Sequence, residues 1–400
     1  MTARRLPVWA MGLTNMLFGM YGGVLVITVP QLLSERAVPE AAISAMTAAA
    51  ISPGFWTLLF SPLLDVRLSR RTYALLTALL AAGLLWTALL NLDRPARVTG
   101  LLVVGFFCAN LYQSALGGWL SGVIRTAEER TLSVSITIAN ISGGGLMAAV
   151  AGSLMHRLPL PEAATLLAIG ILLPLVLFRW IPAPDAARRA AGESFRRFFG
   201  EIVATLRRGD VMLAALMFLA PAATFSLVNI LAGFGTDFHA SPDFVGQVGG
   251  AGVAVAGIAG CLLFPALSRL MPLRYLYLAI GVVGSLFTVA LIALPRSPAT
   301  FALALIGENV FQSLAITAST AITFDTVGRG NPLASTTFCV MVSAFNLANT
   351  YMLVVDGWGY RWRGVTGSYL FDATATLLAS SLIGAALLLH DHRSARAVPG

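Results

Sequence analysis

Apolar positions in this chain run in long unbroken blocks rather than alternating or recurring on one helical face. They fall at about 9–33, 41–64, 73–91, 98–124, 132–155, 163–181, 210–234, 243–265, 275–294, 299–324, 333–355 and 366–389. Each block is near the roughly 20 residues that an α-helix needs to cross a bilayer core. The pattern predicts an all-α integral membrane protein of twelve transmembrane helices. The polar links are short except one, 182–209, which sits midway and divides the chain into two six-helix bundles, 1–181 and 210–389, with a tail at 390–400. Within the link, Phe195, Phe198, Phe199, Ile202 and Leu206 share one helical face with arginines elsewhere, the pattern of an amphipathic helix lying on a membrane surface.

Composition agrees with the pattern. Hydrophobic residues make up 57% of the 400 and charged residues 11%, too few to cover a soluble domain, where about 25% is usual. All 26 basic residues are arginines, and the net charge is +8. Their placement gives the topology. With the N-terminus inside, about 19 fall on the inner side and about 7 on the outer. That bias puts both termini in the cytoplasm. Scattered between apolar runs, these arginines serve topology and lipid contact, and nucleic acid is excluded as a partner. Cys108, Cys261 and Cys339 lie in apolar runs without metal or disulfide spacing, so no metal site and no cofactor is expected.

An internal repeat is visible. Asn110-Leu111-Tyr112-Gln113-Ser114 in the fourth helix matches Asn309-Val310-Phe311-Gln312-Ser313 in the tenth, and Pro62-Leu63-Leu64-Asp65 matches Pro265-Ala266-Leu267-Ser268 at the ends of the second and eighth. Matching helices of like direction imply parallel repeats about an axis along the membrane normal.

Ionisable groups inside a membrane are costly and mark pathways by default. Glu308 lies about ten residues into the tenth helix, near the midplane, with Asn309, Gln312, Ser313, Ser319, Thr320 and Thr323 alongside. The fourth helix carries Asn110, Gln113, Ser114, Gly117 and Ser121 in the matching strip. The expectation is that the two strips line one cavity, with Glu308 its only midplane acid and a proton-coupling group. The alternative is a permanently protonated Glu308 that holds helices together by hydrogen bonds. Asp372 is a second acid, read first as an interfacial carboxylate. Asn15, Tyr21 and Asn229 are further candidates for the substrate cavity, each equally able to bind a neighbouring helix. Glycines at 143–145 and the stripe Gly246, Gly250, Ala254, Gly257 predict close helix contacts. Pro30, Pro53, Pro62, Pro174, Pro221 and Pro265 predict kinks or helix ends.

Asp65 closes a proline-kinked helix and opens a basic loop with Arg67, Arg70 and Arg71. An acid so placed can pair with arginines or accept from a neighbouring helix N-terminus, making a cytoplasmic latch; Arg125, Glu128, Glu129 and Arg130 are possible partners. Several classes are set aside. The four histidines, His156, His239, His390 and His392, form no metalloenzyme or nucleophile motif, and without lysine there is no ATP-binding P-loop lysine. The chain is therefore read as no enzyme. A secondary importer of a medium-sized polar solute, drug or metabolite efflux by the same architecture, and a transport-dead sensor or scaffold remain as alternatives.

Two six-helix halves, an acid-plus-arginine loop after the second helix and a long central link resemble the major facilitator superfamily over nearly the whole chain. Ser61-Pro62-Leu63-Leu64-Asp65 with Arg70-Arg71, then Ala127-Glu128-Glu129-Arg130, then Glu308-Asn309, are similar to the AmpG-type muropeptide permeases and related siderophore importers. That resemblance implies proton-driven import across a bacterial inner membrane by a monomer, with protons, lipids and a small-molecule substrate as partners. The chain departs from the muropeptide type in the fourth helix, where Ser114 follows Gln113 and Gly117 and Gly118 stand at the place of an acid. It also has Ser268 where the second basic-loop motif would carry an acid.

Overall fold

The computed structural model describes residues 6–65, 68–183, 200, 203–204 and 207–396, and every regular element among them is helical. Nine of these helices are long and apolar enough to cross a membrane, and two shorter apolar helices stand at the second and seventh predicted spans. The last of the nine lies within Ala334–Arg396, which is two helices joined where Arg363 and Gly364 leave helical geometry. Eight single helices, these two and the two shorter ones make the twelve expected. In chain order they are α1 (Val8–Glu35), α2 (Ala45–Leu59), α3 (Arg70–Leu89), α4 (Pro95–Val123), α5 (Thr126–Met155), α6 (Leu160–Trp180), α7 (Gly209–Leu219), α8 (Phe244–Leu267), α9 (Leu273–Ile292), α10 (Pro298–Val327), α11 (334–362) and α12 (365–396). The amphipathic face read in 195–206 lies outside the described residues apart from Val203 and Ala204 and the start at Gly200.

The helices turn their large apolar side chains outward. On α3, Leu75, Leu76, Leu79 and Leu80 are exposed, while Ala74, Ala78 and Ala81 are buried on the opposite face. An apolar exterior of this kind is stable only against lipid, and the small inner face lets neighbouring backbones approach.

Proline sets where the helices break. Pro30 lacks an N–H and would crowd the carbonyl of residue 26; the turn before it widens to a π-helix over Val24–Thr28, which makes room for the ring. Pro53 and Pro62 divide the second span into Glu40–Ile51, Pro53–Trp56 and the 3₁₀ turns Thr57–Leu59 and Ser61–Asp65. Pro221 has the largest effect. The seventh span, expected as continuous over 210–234, is helical only to Leu219. It resumes at Val228–Leu231 and a 3₁₀ turn, Ala232–Phe238. Between them lies non-helical backbone in which Phe225 has φ 48°.

The chain forms two compact units: Met1–Met212 with Thr323–Ser343, and Leu213–Ile322 with Ala344–Gly400. In the first, α1 and α5 meet through glycines. A Cβ on Gly19 would overlap the Asn140 backbone, and one on Gly23 the Gly144 carbonyl. The glycines of α8 at 246 and 250 behave otherwise: a Cβ on either meets nothing, so that half of the expected stripe is not a packing seam. In the second unit, Gly281 of α9 lies against the Ala222 carbonyl and Gly284 against the Phe225 ring, which accommodates the break after α7. Gly359 and Gly367, either side of the α11–α12 break, lie backbone to backbone.

Candidate functional site

In the first unit, Asp65 is the centre of a compact polar network. Its side chain is fully buried and pairs with Arg70, Nε to Oδ1 at 2.8 Å. The carboxylate also accepts from the start of α11. The Ser335 amide donates to Oδ1 at 3.2 Å, the Thr336 amide to Oδ2 at 2.9 Å, and the Thr336 hydroxyl to Oδ2 at 2.8 Å. First-turn amides have no partner within their own helix, and the helix dipole favours an anion there. Arg70 adds bonds from Nη2 to the Asn331 and Pro332 carbonyls, each 3.1 Å. Arg71 stacks over Trp119, 5.8 Å from the ring centre, and Arg67 lies outside the described residues. The glycines of α4 have a steric reason: a Cβ on Gly118 would strike Ser335, and one on Gly117 the Phe338 ring. Of the other suggested partners, Glu128 caps its own turn by accepting from the Arg125 amide at 2.8 Å.

The cavity candidates of this unit are scattered in role. Asn15 is buried with its amide nitrogen unpartnered, and the buried Tyr21 hydroxyl is unpartnered as well, close against Gly105. Asn110 donates to the Phe106 carbonyl four residues back, at 2.8 Å. Its repeat partner Asn309 does the same to Leu305, at 2.7 Å. Gln113 is half-buried.

The second unit contains what the sequence only partly disclosed. Glu308 is fully buried on α10, and its Oε1 lies 2.5 Å from the Thr288 hydroxyl of α9, while Oε2 is unpartnered. It is not alone. Asp356 of α11 and Asp372 of α12 are buried too, and each interacts electrostatically with Glu308. Glu308 is expected without a second acid beside it; α11 continues past the end of its apolar run at 355 to 362 and brings the buried Asp356 near it. Asp372, expected as an interfacial carboxylate, is only 2% exposed. The two aspartates meet at Ser226, in the break after α7: its hydroxyl lies 2.6 Å from Asp356 Oδ2 and 3.3 Å from Asp372 Oδ1. The Ser368 hydroxyl donates to the Asp356 carbonyl at 2.9 Å across the α11–α12 break.

Two of the expected substrate contacts hydrogen-bond this broken segment. Gln312 donates to the Phe225 carbonyl at 3.2 Å. Asn229 donates to the Ser226 carbonyl at 3.0 Å and to Asn349 at 3.2 Å. Ser380 and Tyr351 donate to the Ala222 and Leu219 carbonyls, at 2.5 and 2.6 Å. Exposed carbonyls in a membrane must find donors inside the protein, so polar side chains gather where Pro221 breaks the helix. Near the cluster, Arg296 lies over the Phe238 and Tyr369 rings, at 4.9 and 5.7 Å, and donates to Thr366 at 2.7 Å.

Twelve apolar helices with buried carboxyl groups on broken and continuous spans define a polytopic membrane protein of the transporter class. The family model described as Major Facilitator Superfamily matches residues 11–351, and the chain belongs to that superfamily. In fold it is similar to the human organic anion transporter MFSD10 (TETRAN), at 17% identity over 96% of this chain and 100% of that one, with a TM-score of 0.75. It is also similar to the proton:xylose symporter XylE, at 13% identity over 94% of each chain and a TM-score of 0.69. The Escherichia coli fucose:proton symporter FucP is a third, at 12% identity over 94% of this chain and 98% of that one, with a TM-score of 0.69. No curated protein matches the sequence. Superfamily members are membrane-embedded and bind small molecules, and no enzyme family is indicated.

Proposed function

We propose that the chain is a proton-driven importer of a medium-sized polar solute, siderophore-like or muropeptide-like, working by alternating access in a bacterial inner membrane. Both termini are taken as cytoplasmic, the chain as a monomer, and 1–181 and 210–389 as its two bundles. The observation that carries the reading is Glu308. The Thr288 hydroxyl has one proton and two neighbours, the Gly284 carbonyl at 3.0 Å and Glu308 at 2.5 Å. A carbonyl only accepts. A protonated Glu308 that donates to Thr288, which in turn donates to Gly284, makes both contacts of the Thr288 hydroxyl. An ionised Glu308 takes the Thr288 proton and leaves a charge in a dry site with no basic partner among the described residues. The two protonation states of Glu308 differ in cost, and that difference supports the reading of Glu308 as a group coupled to a proton gradient.

Asp65, Arg67, Arg70 and Arg71 are assigned the cytoplasmic gate, because opening there breaks the bonds from Asp65 to α11. Asn15, Tyr21, Asn110, Gln113, Asn229, Asn309 and Gln312 are kept as the substrate-cavity set. Asn15 and Tyr21 have the strongest claim, since the Asn15 amide nitrogen and the Tyr21 hydroxyl are without protein partners.

The test is accumulation of labelled ferric siderophores and anhydromuropeptides in cells lacking their own permeases, with and without a protonophore. Uptake that the protonophore abolishes and Glu308→Gln reduces at least tenfold is the expected result. Uptake indifferent to both, or none by protein present in the membrane, sinks the reading.

A further inference from the structure

We infer that Asp356 and Asp372 form a second proton site in which one proton is shared between two carboxyl groups through Ser226. The inference rests on the proton-coupled reading of Glu308 and adds to it a separate carrier.

The argument is a count of protons. A serine hydroxyl donates once and accepts through its lone pairs. Ser226 stands between two carboxyl groups, at 2.6 and 3.3 Å. With both ionised, its one proton serves Asp356, and Asp372 faces a lone pair with its charge uncompensated. With one proton on the pair, every contact is made: Asp372 donates to Ser226 Oγ, and Ser226 donates to Asp356. The order reverses without moving a heavy atom. Asp372 gives its proton to Ser226 as Ser226 gives its own to Asp356; the serine is regenerated, and one proton has crossed the pair.

The surroundings favour this over two free charges. Both aspartates are buried, and among the described residues neither has a basic ion-pair partner. Two like charges in a dry site are not held together. The groups around them are Glu308 from α10, Tyr369 from α12 and, beyond the Tyr369 ring, Arg296. Two unpartnered buried oxygens, Asp356 Oδ1 and Glu308 Oε2, lie in the same region. These are open acceptor and donor positions for a proton that arrives or leaves. A metal ion is the poorer occupant: among the described residues no group of three or more His, Cys, Asp or Glu is arranged to hold one. Backbone fit makes the arrangement specific. Gly359 and Gly367 bring α11 and α12 together three residues from Asp356 and five from Asp372. The break at Pro221 frees Ser226 from helical geometry to reach both.

The test is infrared difference spectroscopy of the full-length protein in lipid vesicles, reading the carbonyl band of protonated carboxyl groups as pH is raised, without any solute. Wild type is expected to show two titrating bands, one removed by Glu308→Gln. Asp356→Asn and Asp372→Asn are each expected to remove the same other band, since each leaves a single carboxylate that Ser226 can satisfy. Ser226→Ala is expected to move that band and leave the Glu308 band in place. Different bands lost in the two asparagine variants, or neither lost, overturns the shared proton. So does displacement of the band by sodium at constant pH, which makes the pair a metal-cation site. Expected bands in a protein that accumulates no solute leave this site standing while the importer reading fails.

Discussion

Asp65 illustrates what a single residue can and cannot announce. An acid that ends a proline-kinked helix and opens a basic loop invites an ionic reading, and Arg70 provides it at 2.8 Å. The other half of its environment is two backbone amides at Ser335 and Thr336, some 270 residues along the chain. Backbone donors have no sequence signature, so that half was not legible. The consequence is measurable. Asp65→Ala leaves the Arg70 Nε, two amides and the Thr336 hydroxyl without an acceptor, and removing one partner of a buried pair costs roughly 3–5 kcal/mol. Thr336→Val removes one hydroxyl bond and is expected to cost about 1 kcal/mol. Stability from thermal or denaturant unfolding of the purified protein should rank the two variants in that order; equal losses would mean the carboxylate contributes no more than the threonine. Asp356 shows the opposite failure. Its letter was plain, but it lies one residue beyond an apolar block, and a helix does not end where its hydrophobic run ends.

At the scale of elements, helix number and rough limits were legible because each block had to bury its own backbone hydrogen bonds to cross lipid. The breaks were legible only as prolines. That Pro30 would widen a turn, while Pro221 would unwind one, depends on what can serve the freed carbonyls. Gln312, Ser380, Tyr351 and Asn229 do so after Pro221, and they come from residues distant in sequence. Glycine seams have the same limit. Gly19 and Gly246 look alike as small residues spaced along an apolar helix, yet one touches the Asn140 backbone and the other touches nothing. Gly19→Ala is expected to destabilise by about 1–3 kcal/mol, since the two backbones must separate. Gly246→Ala is expected to stabilise by about 0.5–1 kcal/mol through the lower freedom of the unfolded chain and the better helix former. Opposite shifts in unfolding temperature check both at once, and a loss of stability in the second variant would show that α8 packs more closely than its open face indicates.

For the whole molecule, the distribution of arginine is the one global signal that needs no contacts to read, because it records which loops were retained on one side during insertion. It makes a prediction independent of every hydrogen bond above. The natural cysteines, Cys108, Cys261 and Cys339, are all buried, so a new surface cysteine will dominate labelling. Asp93, between α3 and α4, has a 91% exposed side chain, and Ala127, in the first turn of α5, is also exposed; α4 separates them. In spheroplasts from cells producing Asp93→Cys, a membrane-impermeant maleimide should label the protein directly. Ala127→Cys should react only after the membrane is opened. The reverse pattern would invert the chain, placing the Asp65 network on the outer face and turning its latch into an external one. Labelling of both sites in intact spheroplasts would mean α4 does not span, and with it would go the twelve-helix topology on which the arginine count rests.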